Sequence, residues 1–315
     1  MFEGFARLLP DAWLAGGVTS VWVSVFRLRR ISSAHLVIPH VFDIRDVRIA
    51  LMNGSLEYVD LSKVAIDISD ASTWILRPSD QVVSRTEEAT YSLFITPFEA
   101  GGKERHSGEI QRTVSMAVGL SVVVFGRNIA FQWMFDNTVT SAGRLSSVVS
   151  HVFENPIYFP IPDIVRNQDI VSSIATTLEK QPEAARNRIS LSLQWFKEAT
   201  YEKGGPNALL KYWIALETLA MPDTRDIRPI EDALREIYGM PHGEVRSRFA
   251  VGKLFGLRSR IVHNGELIYP HESVSAYIEA LYIDMLLSQL RQVPQKRALA
   301  VLETPGLDLR SLLRF

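Results

Sequence analysis

The chain has 315 residues, 47% of them hydrophobic and 22% charged, an ordinary globular composition with enough apolar material for a core in each of two domains. Its 34 basic and 35 acidic side chains leave a formal net charge of -1, so no global field draws it onto nucleic acid or membrane, and any RNA contact must be local. Cysteine is absent, which excludes disulfide scaffolds, thiolate metal sites and cysteine nucleophiles and fits a reducing cytoplasm.

The first residues, MFEGFARLLPDAWLAGG, carry Glu3 and Asp11 and lack a basic patch followed by an uninterrupted apolar run, so they do not read as a signal peptide. From Val18 to about Pro97 the pattern favours strands. Val21, Val23 and Val25 alternate with Trp22, Ser24 and Phe26, and β-branched residues recur in VAIDI and STWIL. The sharpest local feature is a predicted hairpin: Val47, Ile49 and Leu51 lead into Asn53-Gly54, which tolerates positive φ, and Leu56 and Tyr58 resume the alternation. EAGGKE around Gly101 and Gly102 reads as a break, after which Ile110 to Phe125 is apolar enough for a buried helix. The most apolar run, Met116 to Phe125, is about half of the roughly 20 residues that would span a bilayer, so no membrane span is expected. Phe131, Trp133 and Phe135 could stack bases, but alternating aromatics more often pack in a sheet or core. Asn155 to Asp163, with prolines at 156, 160 and 162, cannot run as a helix and reads as a linker or extended wrap.

Beyond it the apolar periodicity becomes helical. Asn207 can cap a helix whose stripe runs through Leu209, Tyr212, Trp213, Leu216 and Ala220, with Pro222 as its stop. Pro229 suits a first helical turn with Glu231 two residues later. Val245 to Val262 reads as one helix or two short ones, Gly265 can terminate it, and Pro270 opens a last long helix through Tyr277, Leu281 and Leu286. The expected architecture is α+β: a β-rich N-terminal module over residues 1–154 with a buried helix near 110–125, then an all-α bundle over residues 163–315.

His40, Asp43 and Asp46 in IPHVFDIRD lie close together, but one histidine and two carboxylates in a loop are far more often surface residues, and no metal is assigned. His106, His151, His242 and His271 lack a neighbouring constellation. No phosphate-binding glycine loop is present, so no nucleotide cofactor is expected.

The informative string is KLFGLRSRIVHNGEL, which places Arg258 and His263 five positions apart near the end of a predicted helix. On an ideal helix that step turns the side chains roughly 140° apart, so they share a cleft only if the helix bends, ends or faces a second copy; Gly256 and Gly265 permit this. Their residue types suit metal-free RNA cleavage, in which the 2′-hydroxyl attacks the adjacent phosphate. An imidazole can move protons, and a guanidinium can stabilise the charged transition state. The 2′-hydroxyl also implies RNA rather than DNA. Between Gly243 and His263, Arg246, Arg248, Lys253, Arg258 and Arg260 face the single anion Glu244, an excess that could track a phosphate backbone and could equally be a solvated face. Glu217 falls between Trp213 and Leu210 on a helical wheel and needs a partner there: Arg258 or His263 in a functional reading, another arginine in a structural one. Asn264 reads as a helix cap more readily than as a substrate contact.

Three ordered motifs, RISLSLQWFKEATYE, LLKYWIALETLA and RSRIVHNG, resemble the Apea-like branch of the HEPN family. The likeness covers about Glu183 to Gln292 and leaves the β-rich half unexplained. HEPN domains are helical bundles with an arginine, four to six residues and a histidine, often with a polar residue after the arginine; Ser259 occupies that place. The resemblance implies a metal-independent endoribonuclease of toxin or antiviral type, without cofactor, whose two copies bring both Arg/His pairs to one cleft. It therefore implies RNA as partner and a homodimer through the helical domain, with catalytic roles for Arg258 and His263. Members partnered with a nucleotidyltransferase often carry Tyr two residues after the histidine; Gly265 stands there, so that modification is not expected. The β-rich half is then a regulatory, sensing or assembly module, the place for a ligand or protein that controls activity. The alternatives are a non-catalytic dimerisation or sensing bundle, in which Arg258 and His263 merely brace helices, and a nucleic-acid-binding regulator.

Overall fold

The computed structural model describes residues 7–28, 39–58, 65–67, 73–77, 85–105, 107–130, 132–140, 145–149, 164–202, 205–221, 226–266, 268 and 270–304. The chain forms two compact units, Met1–Thr176 and Thr177–Phe315. The division falls inside a helix rather than at the expected boundary near residue 163, and the proline-rich segment 155–163 lies outside the described residues.

The first unit is built on a mixed, mostly antiparallel sheet. A short helix α1 (Asp11–Ala15) precedes β1 (Val18–Arg27), followed by β2 (His40–Ile44), β3 (Val47–Tyr58), β4 (Ala65–Asp67), β5 (Thr73–Arg77), β6 (Arg85–Ala100) and β7 (Lys103–Glu104). Then come helix α2 (Ser107–Phe125), a 3-10 turn (Arg127–Ala130), β8 (Gln132–Thr140) and β9 (Leu145–Val149). The strand order is β4-β5-β3-β6-β1-β8-β9, with β2 beside β3 and β7 beside β6. Strict alternation in β1 puts Val21, Val23 and Val25 into one apolar layer with Met52, Tyr91, Leu93, Ile95, Met134 and Val139, onto which Leu8, Leu9 and Trp13 pack. The opposite face holds Phe26 edge-on to Phe94, and Phe42 against Phe125 at the end of α2. The predicted helix over 110–125 is thus a covering layer of the sheet, as its apolar run demands.

Asn53-Gly54 does not turn. β3 runs through both residues, paired antiparallel to β6 (Asn53↔Thr90, Gly54↔Ala89) and parallel to β5 (Asn53↔Thr73, Gly54↔Trp74). Asn-Gly permits positive φ without requiring it, and ladders on both sides hold the backbone extended. The hairpin of this region lies earlier, where Ile44 pairs with Val47 across Arg45-Asp46 and Arg45 takes φ 56°. The break expected at Gly101 and Gly102 is a two-residue turn between β6 and β7, with φ 58° and 75°. The next helix, α3 (Ile164–Glu179), lies along β2: Gln168 Oε1 is 2.9 Å from His40 Nε2, and Ser172 donates to the carbonyl of Asp43 at 3.2 Å. The two carboxylates near His40 are held by arginines, Asp43 by Arg48 and Asp46 by Arg105.

The second unit contains α4 (Glu183–Tyr201), α5 (Gly205–Ala220), α6 (Arg228–Tyr238), α7 (His242–Phe249), α8 (Val251–Asn264), α9 (Glu272–Gln289) and α10 (Arg297–Leu302). Asn207 sits in the first turn of α5, not at its cap, because the helix starts at Gly205. The stripe Leu209, Tyr212, Trp213 and Leu216 is buried as its spacing requires. Pro229 opens α6, and Gly239 in left-handed conformation ends it. α7 and α8 are separate helices joined at Ala250, which has φ 49°. α9 is buried on nearly all sides from Ala280 to Leu287 and forms the centre of the bundle. Tyr282 stacks on Phe196 and hydrogen-bonds Ser192, Tyr277 donates to the carbonyl of Phe249 at 2.6 Å, and Tyr238 donates to Asp284. Among the described residues no helix is long and apolar enough to cross a membrane.

Burial pushes the phenols of Tyr238, Tyr277 and Tyr282 above their ordinary value of 10.0. A group whose folded-state pKa is raised gives stability that is complete below the unfolded value and lost above it. The helical unit is therefore expected to lose stability once pH rises past about 10. In an alkaline titration, tyrosinate absorbance from these three should appear together with loss of helical circular dichroism, not before it.

Candidate active site

Helix α8 starts from the left-handed residue Ala250 and stops at Gly265, whose φ of 65° reverses the chain. Gly265 is required by conformation rather than space, since a Cβ there would meet nothing within 4 Å. Arg258, Ser259, Arg260, His263 and Asn264 fall in its last two turns, and Glu217 approaches from α5.

The structure brings Arg258, His263 and Glu217 together. Nη1 of Arg258 lies 3.4 Å from Nε2 of His263, and Nη2 lies 3.5 Å from Oε2 of Glu217. The guanidinium thus spans the roughly 140° between the two positions, because an arginine side chain is long enough to reach along the surface and His263 stands in the last turn of the helix. A guanidinium only donates, so this contact requires an unprotonated Nε2 on His263. Arg258 and Glu217 are each about three-quarters covered, with side-chain exposures of 23% and 24%, while His263 is exposed. Ser259 is half-buried beside them. Val262, 48% exposed, lies one turn beyond Arg258 on its side of α8.

Asn264 does not cap the helix; Gly265 does, and the Asn264 amide instead donates to Glu266 Oε1 at 3.1 Å. Glu266 also takes the guanidinium of Arg260, with Nε at 2.9 Å from Oε2. This pairing holds the Glu266 carboxyl below its ordinary range, first through Arg260 and then through Asn264, and raises Arg260 in turn.

Arg246 and Arg248 of the basic stretch are held in separate pairs. Arg246 makes two contacts to Glu231, at 3.3 and 3.2 Å, and that carboxylate is 1% exposed; His242 Nε2 lies 3.3 Å from it as well. Its hydrogen bond to Glu231 pushes the Arg246 guanidinium up. Arg248 binds Glu303 at 2.6 Å and Glu244 at 3.5 Å. Lys253 is exposed near the start of α8. Carboxylates from outside the stretch, Glu217, Glu231, Glu266 and Glu303, therefore offset the excess of positive charge that the local sequence carries.

Comparison of the chain with protein-family models, with curated proteins and with solved structures finds no match. What the site can do chemically is set by its groups: an imidazole and a fixed cation at one exposed helix end, braced by a carboxylate. Among the described residues no group of three or more His, Asp or Glu side chains is arranged to hold a metal ion. The sequence reading missed Glu266 and Glu231. Glu266 had a signal, since it follows the helix-ending Gly265 and lies six residues after Arg260; Glu231 had none beyond its place in the first turn of α6.

Proposed function

We propose that the helical unit is a metal-independent endoribonuclease, without cofactor, that cuts RNA by attack of a 2′-hydroxyl on the adjacent phosphate. The observation that carries this reading is the 3.4 Å approach of the Arg258 guanidinium to Nε2 of exposed His263. In that arrangement His263 takes the 2′-hydroxyl proton and Arg258 meets the charge that builds on the phosphate oxygens. Glu217 holds the guanidinium from behind. One imidazole serves one proton transfer at a time, so protonating the leaving 5′-oxygen calls for a second group. A second copy of the unit, apposed through the face that exposes Val262, would supply it, in keeping with the homodimer implied by the HEPN resemblance. On this reading the protein is a cytoplasmic effector of the toxin or antiviral-defence type, and the sheet unit is its regulatory, sensing or assembly module.

A second reading has one observation in its favour: the largely covered Arg258–Glu217 pair joins α8 to α5, as a non-catalytic dimerisation or sensing bundle would require. Incubation of the purified protein with mixed RNA, and with DNA of matching sequence, separates the two. The nuclease should leave RNA fragments with 2′,3′-cyclic phosphate ends, be indifferent to chelator and spare DNA. Intact RNA, or cleavage stopped by chelator, would remove the proposal.

A further inference from the structure

We infer that Glu266 is a positioning residue of the proposed site: its carboxylate ties Arg260 to Asn264 across the exit of α8 and so fixes the helical turn that carries His263. This inference rests on the nuclease reading. Helix C-termini leave their last carbonyls unsatisfied and fray first. Here the backbone N–H of Glu266 donates to the carbonyl of Arg260 at 3.3 Å, while its carboxylate takes the guanidinium of the same residue. Main chain and side chain of Arg260 are thereby both closed onto Glu266, and the closed ring contains Ile261, Val262, His263, Asn264 and Gly265. The third tie, from the Asn264 amide at 3.1 Å, holds the residue directly after the histidine. Arg260 lowers the Glu266 carboxyl from its ordinary value, which favours the charged form of the latch.

The bland alternative is an ordinary reinforced helix end, and a second rival makes Arg260 a direct phosphate contact. Both separate from a positioning role by where the loss falls. A misoriented imidazole slows the chemical step with binding intact, whereas a lost phosphate contact raises KM and changes its salt dependence. Glu266→Ala and Arg260→Ala are each expected to lower kcat about tenfold on the RNA oligonucleotide the protein cuts, with KM unchanged and no further loss in the double variant. The exchanged pair Arg260→Glu with Glu266→Arg keeps net charge, can re-form the latch in reverse and should recover most of kcat. Hydrogen exchange on the full chain without RNA reads the latch directly: amides 261–264 should exchange faster in each single variant and regain protection in the exchanged pair. Unchanged kcat in Glu266→Ala, unchanged exchange at those amides, or a salt-dependent loss confined to KM without rescue would each overturn the inference. A wild-type protein that cuts no RNA overturns the nuclease reading instead, and the catalytic role of Glu266 with it, while the exchange comparison still decides whether the turn is latched.

Discussion

Alanine at His263 is expected to slow RNA cleavage about 10²–10⁴-fold, the usual worth of a positioned acid or base, and alanine at Arg258 about 10²–10³-fold. His263 is exposed at the end of α8, so its removal leaves the bundle intact and the loss should appear in kcat with helical circular dichroism unchanged. Arg258 is harder to read alone, because its removal also strands Glu217, which lies 3.5 Å away and is three-quarters covered. Glu217→Gln separates the roles. If Arg258 only braces α5 against α8, losing the carboxylate should cost as much as losing the guanidinium; if Arg258 meets the phosphate, Glu217→Gln should retain most of the rate. Arg258→Lys should remain slow, since an ammonium cannot reach both the carboxylate and two phosphate oxygens. Single-turnover rates on one RNA substrate check all four variants, and full activity in either alanine variant would end the proposed function.

The fold was readable where one residue pattern dictated one structure. The alternation through Val21, Val23 and Val25 is β1, the apolar run 110–125 is α2, and Gly265 ends α8. Asn53-Gly54 misled because turn propensity is local, whereas the strands that pair with it, β5 and β6, lie about 20 and 36 residues further along the chain and override a permissive dipeptide. Asn207 misled for a smaller reason: Gly205 and Pro206 begin the helix two residues before the side chain that looked like its cap.

The candidate site was legible in its residue types and much less so in its electrostatics. Sequence order showed Arg246, Arg248 and Arg260 as a basic run, but the carboxylates that bind them come from α6, from beyond α10 and from the chain after Gly265. Charge counted along a sequence window therefore overstated the field that a phosphate backbone would meet. Glu217 is the opposite case. Helical spacing placed a carboxylate among apolar neighbours, the need for a partner followed, and α8 provides it through Arg258.

The buried polar residue expected to matter most for stability is Asp284, fully enclosed at the centre of α9. One of its oxygens accepts from the Tyr238 hydroxyl at 2.5 Å and from the backbone N–H of Ala298 at 3.0 Å, joining α6, α9 and the start of α10 at one point. Asp284→Ala leaves both donors buried without an acceptor, and it removes the negative charge that favours the largely buried guanidinium of Arg297, whose pKa burial otherwise lowers. The expected loss is about 2–4 kcal/mol, read as a lower denaturation midpoint at unchanged slope. Asp284→Asn keeps an acceptor at the same place and should lose about half as much or less, whereas Tyr238→Phe removes one donor and should lose about 1 kcal/mol. Because the Tyr238 hydroxyl has Asp284 Oδ2 as its acceptor, the double variant Asp284→Ala with Tyr238→Phe should be less destabilised than the two single losses together. Additive losses would mean that the hydroxyl and the carboxylate do not depend on one another, and that α10 is held to the bundle by its apolar face alone.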